Sequence, residues 1–337
     1  MQLLQATLIL IVWSALVHFD PVMKKAFGDI PKIRGKILLN EEMAKHTSLK
    51  VGGPADVFAV AEDPRDVCTL VRWATTQSLP LLVIGAGTNL LVSEKGIRGL
   101  VIKLGSGFRN IHILSPAKSD GAPGQTVTRH HQVIAGAAVQ MPELVKAATD
   151  AGLSGLEGLA GIPGSVGGAV CMNAGTQFGE IKDILVSVRA VGPEGELIEL
   201  PAEELGLGYR SSEVSKKGLT ILEATLALRL GDPDQVAQKV RGVLARRRRN
   251  QPSGVHTCGS VFKNPEGDYA GRLLEAAGAK GMSVGDAYVS TSHANWIENR
   301  GKASASDIRE LMNMLQKLVQ EKFDIRLEPE VQIVGEW

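Results

Sequence analysis

The chain of 337 residues carries 37 Lys and Arg against 36 Asp and Glu, a net charge of +1, with 44% apolar and 22% charged residues. At about 150 residues per domain this length predicts about two domains, and the composition argues against a disordered chain and against a general nucleic-acid binder. Glycine is abundant at 38 residues while aromatics make up only 4%, which points to function carried by backbone that turns sharply or approaches a ligand closely. Cys68, Cys171 and Cys258 form no CxxC pair and lie in no zinc-type spacing with histidine. A disulfide scaffold and a structural metal are therefore not expected, and a reducing compartment is.

Residues 3–17 (LLQATLILIVWSALV) are largely apolar, but a membrane span needs roughly 20 such residues. The stretch also lacks a basic leader and a clear cleavage site. Three readings stay open for residues 1–22: a non-native extension ahead of a start at Met23, a weak anchor with Lys24 and Lys25 on the cytoplasmic side, or a packed helix. Each leaves residues 24–337 in the cytoplasm, with membrane contact only if residues 1–22 belong to the native protein.

Asp63-Pro64 predicts a capped amphipathic helix with Val67, Leu70, Val71 and Ala74 inward, followed by a buried strand from Leu79 to Ile84 that ends at glycine. Gly99–Leu104 reads as a strand, 115–129 as a solvated hairpin tip, and Gln132–Ala137 as its return strand. Pro142 opens a helix stopped at Gly152. From there glycines recur every third residue to Gly167, read as a single folded loop rather than a collagen-like repeat. Strands are predicted at Ile184–Val191, Leu197–Leu200 and Leu219–Leu230. A helix capped by Asp232-Pro233 follows, with Val236, Val240, Val243 and Leu244 on one face and Arg246–Arg249 at its end, and the composition changes near 231. The remainder alternates helix (Ala270–Ala277), strands (Ala287–Val289, Trp296–Glu298), a helix (Asp307–Phe323) whose Ser304 and Asp307 form a capping box, and a strand (Val331–Val334).

Two glycine-rich runs stand out. Gly85-Ala86-Gly87-Thr88-Asn89-Leu90 follows a strand like a dinucleotide fingerprint, but Leu90 takes the third glycine's place and no helix follows. It is either a tight turn or a nest of amides for phosphate oxygens. The run from Gly161 through Pro163, Gly164, Ser165, Gly167 and Gly168 to Asn173 either packs a domain junction or meets a flat, polyphosphate-bearing cofactor. Arg246–Arg249 is either a solvated basic run or a partner for a substrate diphosphate. Ser260 lies in CGSVFKNP without a GxSxG elbow, so it is no acyl-transfer nucleophile. Glu328-Pro329-Glu330 is either a polar strand start or a pair of carboxylates aimed apart by the proline.

Taken together, HTSLKVGGPA (46–55), Gly85–Leu91, Gly161–Gly168, Gly208-Tyr209-Arg210-Ser211-Ser212, Gly259–Pro265 and Leu327–Val331 resemble, in order, the flavin-dependent UDP-N-acetylenolpyruvoylglucosamine reductases (UDP-N-acetylmuramate dehydrogenases) of peptidoglycan synthesis. The short segment 266–270 is similar to the branch that lacks a tyrosine-bearing lid. The resemblance implies an α+β chain. Its FAD-binding domain would be of the vanillyl-alcohol-oxidase type, residues 23–230 in two subdomains (about 23–105 and 106–230). A smaller α+β substrate-binding domain would follow at 231–337, its last strand returning to the first subdomain.

It further implies non-covalent FAD along Gly53, Gly85, Ala86, Gly87, Thr88, Asn89, Leu90, Gly161, Pro163, Gly164, Ser165, Gly167, Gly168 and Asn173, with NADPH as hydride donor. The substrate would be UDP-N-acetylglucosamine enolpyruvate, contacted by Tyr209, Lys263, Asn264 and Arg249. Arg210 and Glu330 would polarise the substrate carboxylate, Glu330 protonated or sharing a proton, and Ser260 would deliver the proton to carbon. No metal, nucleic acid or obligate protein partner is implied. Two competitors are an oxygen-using oxidase of the same fold and a flavin-binding scaffold without turnover.

Overall fold

The computed structural model describes residues 28–115, 130–252 and 254–337; the expectations for residues 1–22 and for the tip at 116–129 lie outside them. No helix among the described residues is long and apolar enough to cross a membrane.

The first unit runs β1 (Lys36–Glu42), β2 (Pro54–Ala61), α1 (Pro64–Thr76), β3 (Leu81–Ile84), β4 (Leu90–Val92) and β5 (Ile97–Leu104). Its sheet has the order β1-β2-β5-β3, with β1 antiparallel to β2 and the β2–β5 and β3–β5 pairs parallel. Asp63 caps α1 through its side chain, and Val67, Leu70, Val71 and Ala74 are buried against Val57, Ala59, Leu100 and Ile102. Because the two parallel strands end side by side, Ile84 and Lys103 share one sheet edge, where open sheets of this kind place their ligands.

The second unit comprises β6 (Ile111–Leu114), β7 (His130–Gly136), α2 (Met141–Asp150), β8 (Leu153–Ser154), α3 (Val166–Cys171), β9 (Gly175–Thr176), β10 (Gly179–Glu180), β11 (Leu185–Val191), β12 (Leu197–Pro201), β13 (Thr220–Leu230) and α4 (Pro233–Asn250). Its sheet follows β12-β11-β13-β7-β6, all antiparallel, with β8 also on β13. The glycine run is not one loop. Ser165 caps the short helix α3, and Val166, Ala169 and Val170 bury into the core of this sheet. Helix α4 begins just after the predicted boundary near 231, yet Val240, Val243 and Leu244 pack on that same core. Its apolar face turns backward, so the change of core comes at the helix end, near 250.

The last unit holds α5 (Ala270–Ala277), β14 (Ser283–Val284), β15 (Ala287–Val289), β16 (Ile297–Asn299), α6 (Ala305–Phe323) and β17 (Gln332–Val334). Ser304 and Asp307 form the capping box of α6. The core of this unit includes Leu49, Val51 and Leu91 from the first, and β17 pairs in parallel with β4, Gln332 opposite Leu90.

Candidate active site

The two glycine runs meet. A Cβ on Gly85 would lie 2.2 Å from Ser165 Oγ, and one on Gly164, at φ +108°, would lie 2.9 Å from Thr88 Oγ1. Only a residue without a side chain allows this approach at Gly85. The amides of Ala86, Gly87, Thr88 and Asn89, and those of Gly164 and Ser165, donate to no other described residue, so a row of unspent donors lines the junction. Gly167 is committed to packing, its amide donating to the Ala137 carbonyl at 2.9 Å, and Gly168 donates to Ser165 Oγ at 3.4 Å. Leu90 is buried and Pro163 is exposed beside Gly164.

Two residues expected beside a cofactor have other duties. Gly53 donates to the Ser93 carbonyl at 2.8 Å, and its absent side chain leaves room for Glu94. Asn173 is fully buried. Its amide group donates to the Gly208 carbonyl at 2.9 Å and to Glu180 at 3.0 Å, and its oxygen accepts from the Lys182 amide at 2.9 Å. Its side chain therefore shapes the Gly208–Ser211 turn, the neighbour of Arg210.

Arg210 occupies the left-handed region at φ 50°. Its Nε donates to Glu330 Oε1 at 2.9 Å and its Nη2 to the Gly175 carbonyl at 2.8 Å. Burial pushes the Glu330 carboxyl above its ordinary range, against the opposing pull of Arg210 and Lys263. Glu330 belongs to a segment laid antiparallel to 260–263: its amide donates to the Val261 carbonyl at 2.8 Å, Phe262 bridges Pro329, and the Lys263 amide donates to the Glu328 carbonyl at 2.8 Å. Ser260, half-buried and bridged to Trp296, thus sits one residue from the strand position that holds Glu330. The Asn264 amide donates to the Tyr209 hydroxyl oxygen at 3.3 Å, and Arg210 lies over the Tyr209 ring at 5.1 Å. Arg210, Glu330, Ser260, Tyr209, Lys263 and Asn264 are brought together from segments of the second and last units.

Arg249 stands exposed on the last turn of α4. Arg247 is the arginine that faces the glycine run: a Cβ on Gly161 would meet its side chain at 2.9 Å, and burial holds its guanidinium below the usual value. Helical spacing carries the signal, since Arg247 follows Val236, Val240 and Val243 on the inward stripe. A second cluster lies behind the first glycine turn. His46 Nε2 is 3.1 Å from Glu41 Oε1, its Nδ1 is 3.4 Å from Lys103 Nζ, and its ring stacks on Phe58 at 4.2 Å. Burial lowers the pKa of both His46 and Lys103. A charged residue inside the apolar strand GLVIKL was the available sign of Lys103.

A run of amides without a described acceptor beside a second glycine run offers donors of the kind a pyrophosphate accepts from, and the residues present fit such a group. Residues 55–201 match the FAD binding domain family, and residues 251–334 match the C-terminal domain of UDP-N-acetylenolpyruvoylglucosamine reductase. The chain is 41% identical over 304 residues to a UDP-N-acetylenolpyruvoylglucosamine reductase of Desulforamulus reducens, covering 90% of this chain and 95% of that one. One from Agathobacter rectalis is 41% identical over 301 residues, 89% and 95% of the two chains. Among solved structures, the reductase (MurB) from Thermus caldophilus superposes with a TM-score of 0.73 at 36% identity, covering 90% of this chain and all of that one. The 6-hydroxy-D-nicotine oxidase of Arthrobacter nicotinovorans, at TM-score 0.54 and 13% identity over 86% of each chain, shares the fold.

Proposed function

This chain belongs to the UDP-N-acetylenolpyruvoylglucosamine reductase family, an FAD-containing oxidoreductase on the fold of vanillyl-alcohol-oxidase-type flavoproteins, and on that premise we propose that it reduces the enolpyruvyl ether of UDP-N-acetylglucosamine to UDP-N-acetylmuramate. The observation that carries the reading is the meeting of Arg210, Glu330 and the Ser260 strand beside the two glycine runs. FAD would be held by the free amides of Ala86–Asn89, Gly164 and Ser165 and, reduced by NADPH, would supply a hydride for the terminal carbon of the enol ether.

What this chain adds is control of charge and of one proton. Hydride arrival leaves negative charge next to the substrate carboxylate. Arg210, fixed by the Gly175 carbonyl and by Glu330, stabilises that charge. Burial raises Glu330 above its ordinary range, and Glu330 protonated or sharing a proton would spare that charge the repulsion of an ionised acid. Ser260 gives its proton to the carbon bearing the ether oxygen, a weak acid opposed by a far stronger base. Tyr209, Lys263 and Asn264 hold the sugar and diphosphate, Lys263 as a point charge. Arg247, abutting the glycine run, is better placed for a phosphate than the exposed Arg249. The cytoplasm is the proposed compartment, in keeping with three free cysteines.

The test is anaerobic stopped-flow on Ser260→Ala. Reduction of bound FAD by NADPH should keep its rate within about twofold, while reoxidation by the enolpyruvyl substrate should slow by at least about a hundredfold. Equal loss in both half-reactions overturns the role of Ser260; rapid reoxidation by oxygen alone would favour an oxidase.

A further inference from the structure

Glu330 is gripped by its main chain as well as by its carboxyl. On one side its amide donates to the Val261 carbonyl at 2.8 Å. On the other, its carbonyl accepts from Asn89 Nδ2 at 3.0 Å, across 241 positions of sequence. The Asn89 carbonyl in turn accepts from the Gln332 amide at 3.0 Å, where β17 begins its pairing with β4. Asn89 therefore clamps the segment 330–332 with both a side-chain donor and a main-chain acceptor.

We infer that the side-chain amide of Asn89 is a positioning residue for Glu330, holding the carboxyl on Arg210 and joining its placement to the first glycine turn. The inference rests on the reading of Glu330 as the group that polarises the substrate carboxylate. The two contacts of Asn89 are separable. In Asn89→Ala the main-chain bond to Gln332 survives, so β17 stays paired and only the grip on the Glu330 carbonyl is lost. Misplacement of a reacting group by about 1 Å costs on the order of a hundredfold in rate.

The experiment is a double-variant cycle on FAD-loaded protein with Asn89→Ala, Glu330→Ala and both together, reading reoxidation by the enolpyruvyl substrate by anaerobic stopped-flow. Asn89→Ala should slow reoxidation by the enolpyruvyl substrate by about ten- to a hundredfold. The double variant should be no slower than Glu330→Ala alone, because a residue acting only through another has nothing further to lose. Amide exchange over 328–332 in the apoprotein should be faster in Asn89→Ala than in the parent. If Asn89→Ala does not retain FAD, Asn89→Ser, which keeps a shorter donor, enters the same cycle. Additive losses in the cycle, or unchanged exchange, overturn the inference. Wild-type reoxidation in Glu330→Ala alone overturns instead the role of Glu330 on which it rests.

Discussion

Glu330 lies between two opposed influences: burial disfavours its charge, and the Arg210 guanidinium at 2.9 Å favours it, with burial prevailing. For an acid whose folded pKa is raised, the neutral form dominates below that value and is lost as pH rises through it. The single-turnover rate of substrate reduction should therefore fall on the alkaline side of the ordinary carboxylate range, and Glu330→Gln, neutral throughout, should flatten that limb; an unchanged profile would count against a neutral donor. The thiols mark the opposite case, groups kept out of chemistry. Burial pushes Cys258 up to about 12 and Cys171 up to about 11, so both should resist iodoacetamide in the native protein at neutral pH and react once it is denatured. At this scale Ser260 and Glu330 drew notice because each sits in a short run of rigid residues, whereas Arg210 entered only with the family resemblance. The duties of Asn173 and Asn89 were not legible, because both are hydrogen bonds across the fold that no local pattern encodes.

Elements with local chemistry were read well. Asp63, Asp232 and Ser304 each cap the helix expected of them, since a cap is decided by the residue and its next three neighbours. Strands β1 and β2 escaped notice. Asn40, at φ 52°, interrupts the first, and Asp56 in the second is paired with Arg98, which blurs the alternation on which strand reading depends. The glycine run hid a helix for a related reason: six residues with two glycines have little helical propensity, and burial of Val166, Ala169 and Val170 supplies what propensity does not. Two glycine substitutions separate packing from propensity. Gly85→Ala drives a methyl into Ser165 Oγ and should weaken FAD binding at least about tenfold, read by flavin fluorescence, because its turn cannot close on the second run. Gly242, inside α4, has nothing within 4 Å of an added Cβ, so Gly242→Ala should stabilise by about 0.5–1 kcal/mol in a thermal melt.

The molecule as a whole is knitted by contacts that run against the order of the chain. Leu49, Val51 and Leu91 belong to the core of the last unit, and the Asn299 side chain donates to the Leu49 carbonyl at 2.9 Å. Leu91 is fully buried at the strand pair that joins first unit to last, so Leu91→Ala should cost about 2–5 kcal/mol. The parent protein should unfold in one calorimetric transition, and two resolved transitions would disprove this coupling. The strand pair of residues 90–92 with 332–334 also imposes a schedule on biosynthesis. Its two halves are some 240 positions apart, so for most of translation the first glycine turn waits on the ribosome without the neighbour that fixes it. A nascent polypeptide arrested after α6 would carry every residue of both glycine runs and still lack the tie across Asn89, and capture of the yellow coenzyme should come only as synthesis passes residue 332.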